Sequence, residues 1–425
     1  MYVKNIADSV RLCAVNTDKF KTCRINVSLA VPLNEYASAN AILPFMFQRR
    51  CAKYPDFTAF NRVLDELYGA SVSVGVLKRG EAQILSFNLT AIDDRFALDG
   101  DKVALSSVEL LLDLIFNPVT DGESFPADII EQEKHLLVEA IENERNDKRL
   151  YALMRCESVM FENEAYGLNR LGTVEAVKAL TPDEVYRAWK KVLAESNVQI
   201  TMVGSMDVEP VEKLLTEKFG SIDRQPIQIE TEFVTAAPKP NYVCEEMPLK
   251  QGKLVMGFRT GMRNIDDNAV PMKIAVDIFG GGTYSKLFSV VREKMSLCYY
   301  CSAMLFNAKG VVMVQSGIED CNEEKAKNEI INQLRLVASG EFSDDDFSAS
   351  IKSITDTVMS NSDTPESICA WYASQLSRDE LKTPESYADE IKAVSKEQVV
   401  ASAKTIMLDT VFMLKSNGEE TDDEQ

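Results

Sequence analysis

Ala179-Leu-Thr-Pro-Asp-Glu-Val185 and Ala393-Val-Ser-Lys-Glu-Gln-Val399 are one helix start written twice, 214 residues apart. Each sets a Thr or Ser three residues before a Glu or Gln, the capping box that ties off the first turn of a helix, and the first adds Pro182 at the first helical position. Each helix then leads into a strand-like run, Val198–Ser205 and Thr410–Lys415. A further echo pairs Phe125-Pro126-Ala127-Asp128 with Phe342-Ser343-Asp344-Asp345, both opening helices. A separation this long is a whole duplicated domain, not a solenoid repeat. The expected fold class is therefore α+β, two homologous αβ domains, each a sheet packed by helices.

Between the halves, Asp223 to Tyr242 is polar and extended, with Pro226, Pro238 and Pro240, which reads as a linker. The expected division is residues 1–222, a linker over 223–241, a second domain over 242–417 and a short acidic, disordered tail over 418–425. A chain of 425 residues holds two or three cores of ordinary size.

In the first half, residues 9–16 and 22–32 alternate as half-buried strands, and the turn holding Asp18 and Lys19 predicts a hairpin. An apolar helix follows over 37–50. Thr58 is the candidate N-cap of the next helix, which Tyr68-Gly69-Ala70 ends. Two strands follow, then helices from Ala104 to Phe116 and from Pro126 to Asn146. The second half repeats this order: strands near Tyr242–Cys244 and Lys253–Arg259, a helix over Val270–Phe279, and a strand over Val311–Ser316.

His135 is the single histidine. A two-histidine zinc motif, H-E-x-x-H or its inverse, cannot be built from it, and no G-x-S-x-G elbow is present for a serine nucleophile. His135 lies off the apolar stripe of its helix and reads as solvated. Asp93-Asp94 and Asp344-Asp345-Asp346 read as turn and cap residues. A net charge of −20 opposes a phosphate backbone, so nucleic acid is not an expected partner. No apolar run reaches the length of a membrane span, and the first residues lack a signal-peptide core. Nine scattered cysteines, an odd count, read as reduced thiols of a cytoplasmic protein. Cys298-Tyr299-Tyr300-Cys301 matches C-x-x-C, but residues three apart on a regular strand face opposite ways, so these too read as structural thiols.

The most distinctive stretch runs from Phe279 to Tyr300: Gly280-Gly281-Gly282, then a helical pattern ending Arg292-Glu293-Lys294, then Leu297-Cys298-Tyr299 opening an aromatic strand. The glycines allow positive φ or close backbone approach. This order closely resembles the C-terminal-half signature of the insulinase/pitrilysin (inverzincin) metallopeptidases. Leu64 to Ala70 and the strand–helix–helix–strand order around it are similar to the family's N-terminal half.

The resemblance implies two mitochondrial-processing-peptidase-like αβ-sandwich domains with antiparallel-rich sheets, together forming half of a clamshell. Catalytic members carry H-x-x-E-H on the first helix and a glutamate ligand on a later one. The matching positions here are Ile42, Phe45, Met46 and Ala140, with Glu133 on the family's other glutamate; none of the four can hold zinc. The resemblance therefore implies a non-catalytic member, a pseudo-peptidase with no metal or cofactor of its own, the zinc being expected in a partner chain. The family's substrate-gripping Arg and Tyr correspond to Arg292 and Tyr299, and the Gly280–Gly282 loop could present backbone groups to the same substrate.

The implied partner is a paralogue bearing H-x-x-E-H, in a heterodimer acting on a peptide or protein, with a homodimer in its absence. The chain is most similar to a bacterial branch that pairs zinc-less with zinc-bearing members, some named for association with the 5-aminopentanol modification of elongation factor P. Three other readings stay open: a scaffold subunit that touches no substrate, a metal-independent hydrolase, and redox work by the C-x-x-C.

Overall fold

The computed structural model describes residues 1–237, 239–263, 266 and 269–418. Pro238 of the expected linker, and the expected acidic tail apart from Gly418, lie outside the described residues.

Six strands form the first sheet: β1 (Tyr2–Ala7), β2 (Val10–Asn16), β3 (Thr22–Pro32), β4 (Ser71–Arg79), β5 (Ala82–Ile92) and β6 (Asn197–Gly204), in the order β1-β2-β6-β3-β5-β4. Five form the second: β7 (Asn241–Met247), β8 (Gly252–Arg259), β9 (Cys298–Phe306), β10 (Val311–Ile318) and β11 (Met407–Ser416), ordered β7-β11-β8-β10-β9. With β1 set aside the two orders are the same. Each sheet has one parallel pair at the same place, β2 with β6 and β7 with β11, and is otherwise antiparallel. The duplication read from the capping boxes is thus a duplication of topology, and both boxes form, at Thr181–Glu184 and Ser395–Gln398.

The expected hairpin of residues 9–16 and 22–32 is not made. β6 inserts between β2 and β3, pairing Val198 with Val10 on one side and Met202 with Ile25 on the other. From Val198 to Gly204 every residue of β6 is buried, Gln199 and Thr201 on one face included, and a strand buried on both faces belongs in the centre of a sheet. β1, a mostly exposed strand that alternation did not reveal, takes the outer edge instead. A second correction concerns the helix Phe57–Glu66, whose N-cap is Asp56, not Thr58; the Asp56 carboxylate accepts from the Ala59 amide at 2.8 Å.

The compact units are not contiguous in sequence. The first comprises Met1–Glu142, Leu168–Glu230 and Ser360–Lys382; the second comprises Asn143–Gly167, Thr231–Met359 and the chain from Thr383 onward. Each expected domain therefore differs by one segment that belongs with the other half. In the second unit the helix Lys148–Met160 buries Ala152, Cys156 and Met160 against Val255 and Phe412 of the sheet. In the first unit the helix Pro365–Ala373 packs Ile368, Cys369 and Tyr372 on Cys13 and Val203. A sheet buried on both faces needs cover on both, and these helices supply it. The beginning of the expected linker is fastened to the first unit: Arg224 Nη1 donates to Leu193 O at 2.7 Å, and the Ile227 amide donates to Glu195 O at 2.9 Å.

Candidate functional site

The first-unit helix Ala37–Phe47 carries Ile42, Phe45 and Met46, the positions that the sequence resemblance sets against a zinc motif. Ile42 and Met46 are buried in the core of the first unit, and Phe45 is half-buried against that same core. Pro44 sits inside the helix. On the helix Ala127–Asn146, Ala140 packs against the same core while Glu133 is buried, and neither carboxylate oxygen of Glu133 has a hydrogen-bond partner. Burial pushes the Glu133 carboxyl above its usual range, opposed by Arg49 and Arg50. Zinc needs several nitrogen, sulfur or carboxylate ligands, and the single carboxylate of Glu133, with two arginines near it, does not fit it. Among the described residues no cluster of three or more His, Cys, Asp or Glu is placed to hold a metal. His135, on the same helix, is exposed, with Nε2 3.2 Å from Glu139.

The second unit is built differently where the Arg292 stretch lies. Lys286 anchors it through an ion pair to Asp346 at 2.8 Å. From Leu287 to Lys294 the chain makes a widened, π-helical turn, closed by the Met295 amide donating to Val290 O at 2.9 Å. Such wide turns are rare, and they gather at functional sites. Leu287 and Val291 point into the core, which leaves Arg292 at the rim. Its guanidinium lies 4.6 Å from the centre of the Phe288 ring and 3.5 Å from Glu293, contacts too exposed to hold it firmly. Ser296 then turns the chain with φ of 52°, and the Leu297 amide donates to Val291 O at 3.1 Å.

β9 opens with a bulge. Tyr300 pairs with Gly317, but Ile318 pairs with Cys298, so Tyr299 is the extra residue and is left without a partner strand position. Its side chain swings out and is 64% exposed. Arg292 and Tyr299 thereby line one open cleft of about 400 Å³, together with Glu293, Ser296, Glu319 and Asn322. A guanidinium and a phenol there can donate to carbonyl or carboxylate oxygen, and the two glutamates can accept from amides or amines.

Gly280, Gly281 and Gly282 do not line this cleft. None of the three has a positive φ. Of the two uses open to them, Gly280 shows close approach: a Cβ there would lie 2.6 Å from the Ala303 backbone nitrogen in β9. The signal missed in the sequence is the cysteine pair. Because the bulge adds a residue, Cys298 and Cys301 fall on one face of β9 rather than opposite faces, both buried, with Cys298 at the wall of the cleft. No local pattern announces a bulge set by the register of β10.

Residues 179–354 match the family model described as the peptidase M16 inactive domain. YmfF of Bacillus subtilis (strain 168), described as a probable inactive metalloprotease, is 30% identical over 402 residues, 94% of each chain. The chain belongs to the insulinase/pitrilysin family, M16. The crystal structure of a conserved protein from Enterococcus faecalis V583 superposes with a TM-score of 0.88 at 26% identity over 99% of both chains. An M16 inactive domain from Pseudomonas fluorescens, at 17% identity, shares the fold with a TM-score of 0.80 over 99% of both chains. This M16 chain is a non-catalytic member, a pseudo-peptidase. No helix among the described residues is long and apolar enough to cross a membrane.

Proposed function

We propose that the chain is the non-catalytic subunit of a heterodimeric M16 peptidase. A paralogue bearing H-x-x-E-H supplies the zinc and the general base; this chain supplies chamber wall and a grip on an extended peptide. The observation that carries the reading is the contrast within one chain: apolar residues at the metal positions, but Arg292 and Tyr299 side by side in an open, polar cleft. A side chain kept only for packing would not be turned outward by a bulge. Arg292 and Tyr299 donate to peptide carbonyls, Glu293 and Glu319 receive peptide amides or a terminal amine, and the Gly280–Gly282 loop holds β9 close behind them.

The test is peptide hydrolysis with metal analysis on this chain alone, on an H-x-x-E-H paralogue alone and on the mixture. Activity that requires both chains, zinc in the paralogue and in the mixture but not in this chain alone, and activity falling at least tenfold for Arg292→Ala or Tyr299→Ala are expected, since tenfold corresponds to about 1.4 kcal/mol of lost substrate contact. Full activity of the mixture with both side chains removed would make the chain a scaffold.

A further inference from the structure

Cys298 and Cys301 have no role in the subunit reading, and their setting differs from that of the other seven cysteines. Cys244 and Cys321 are exposed, and the remaining five are buried. Burial pushes the Cys13 thiol up to about 11 and that of Cys23 to about 12, which makes them inert at neutral pH. Along a regular strand three residues span about 10 Å, too far for two thiols to meet. The bulge at Tyr299 shortens that path and sets both sulfurs on one face, where the Cys301 thiol donates to the Cys298 sulfur. The Ser316 hydroxyl, on the residue paired with Cys301 across the ladder, donates to Tyr300 O at 3.0 Å and lies beside both sulfurs. Arg292 faces Cys298 across the cleft wall.

The hydrogen bond from Cys301, then the neighbouring Ser316 hydroxyl and the charge of Arg292, outweigh burial and bring the Cys298 thiol down to about 7. Cys301 moves the opposite way, well above its usual range, because it is the donor in that bond and is itself buried. One sulfur, buried but at the cleft wall beside a cation, is thus the readily ionised one, and the second is the proton donor held next to it. This is the division of labour between an attacking and a resolving thiol.

We propose that Cys298 and Cys301 are a hydroperoxide-sensitive dithiol that closes to an intrachain disulfide across the β9 bulge. The Cys298 thiolate attacks one oxygen of a hydroperoxide, ROOH. The O–O bond breaks, ROH leaves with one proton taken up, and Cys298 becomes a sulfenic acid. The Cys301 sulfur then attacks the Cys298 sulfur, its thiol proton leaving with the displaced hydroxyl as water. In sum, two thiols and one hydroperoxide give one disulfide, one ROH and one water, the sulfurs losing two electrons and the peroxide gaining them. Closure removes the negative charge next to Arg292 and fixes the bulge that presents Tyr299. The inference does not depend on a partner chain.

The test uses the full chain with Cys244→Ser and Cys321→Ser, which removes the exposed thiols, treated with stoichiometric hydrogen peroxide. The expected result is loss of two titratable thiols and of the mass of two hydrogens. A single 298–301 link should appear in the peptide map, and dithiothreitol should restore both thiols. With Cys301→Ser added, Cys298 should be trapped as a sulfenic acid by a 1,3-diketone probe; with Cys298→Ser, no thiol should be lost at the same dose. Retention of all thiols, a disulfide between any other pair, or direct passage to a sulfinate would overturn the proposal. The map on the chain with both cysteines present decides the matter even where a variant does not fold. No partner or peptide enters the assay, so its outcome is separate from that of the subunit test.

Discussion

In each half a helix turns into an edge strand: Phe57–Glu66 into β4 in the first unit, the π-helical turn Leu287–Lys294 into β9 in the second. The two junctions occupy the same place in a duplicated topology, and each uses one non-glycine residue in the left-handed region, Tyr68 with φ of 59° and Ser296 with φ of 52°. The first junction is tight. The Gly69 and Ala70 amides both return to Leu64 O at 3.0 Å, and the strand that follows pairs with β5 without a slip. The second is loosened twice, by a wide turn before Ser296 and a bulge after it. Identical topology with different local register is enough to make one junction a closed corner and the other a cleft. It teaches that after a duplication the pocket can be a property of one extra backbone residue rather than of a different fold.

The closed side of the comparison contains one residue that does not belong to a sealed core. Glu133 is buried without a hydrogen bond, and such a group costs stability. Glu133→Met, of similar volume, is expected to stabilise the first unit by about 3 kcal/mol at neutral pH, measured by urea unfolding. The sign of the pH dependence follows from the raised folded-state pKa. Between the unfolded value, about 4.3, and the higher folded value the native state binds more protons, so wild-type stability falls as pH rises through that window. The gap to Glu133→Met should therefore be full above the folded pKa and close as pH approaches about 4. A destabilised variant would mean that the carboxylate has a partner and that the region is not a plugged site.

On the open side, Gly280 sets how close the loop lies to β9. Its substitution by Ala drives a Cβ to 2.6 Å from a backbone nitrogen and 2.7 Å from the Ala303 Cβ, atoms that cannot swing aside. A cost of about 2 kcal/mol is expected, with hydrogen exchange rising in β9 and not in β4. A neutral Gly280→Ala would show that the second junction is slack enough to absorb the collision. Arg292→Ala and Tyr299→Ala, both on exposed side chains, should each change stability by no more than about 0.5 kcal/mol, which keeps their effect on partner activity interpretable.

Much of this was legible in the residues. The capping boxes, the apolar helix at 37–47 and the Arg292-to-Tyr299 stretch are local signals, and each was read from neighbours in sequence. What stayed hidden depends on partners far along the chain. The insertion of β6 between β2 and β3 goes with burial of both its faces, and a turn at Asp18 cannot report that. The bulge is a disagreement between β9 and β10, visible only when both are paired. The segments 143–167 and 360–382 looked like parts of their own halves because a helix's apolar stripe says that it will be covered, not by which sheet. The cysteine pair was misread for the same reason: the alternation that set Cys298 and Cys301 apart is a rule for strands without a bulge.

The smallest expected effect isolates the two left-handed residues. Ser296→Gly removes a Cβ from a strained conformation and loses no side-chain hydrogen bond recorded among the described residues. The relief is about 1 kcal/mol, partly offset by the extra freedom of glycine in the unfolded chain, so a net gain of about 0.5 kcal/mol is expected. Tyr68→Gly gains the same relief but loses more. The Tyr68 hydroxyl donates to Asp101 at 2.7 Å and accepts from the Leu98 amide at 3.0 Å, and its ring packs on the core of the first unit. That variant should be destabilised by about 1 kcal/mol or more. Opposite signs at two equivalent positions, read by urea unfolding, would establish that the first junction is held by its side chain and the second by its backbone alone. Equal signs would return both junctions to one design, and the cleft would then owe its shape to the bulge and not to the turn before it.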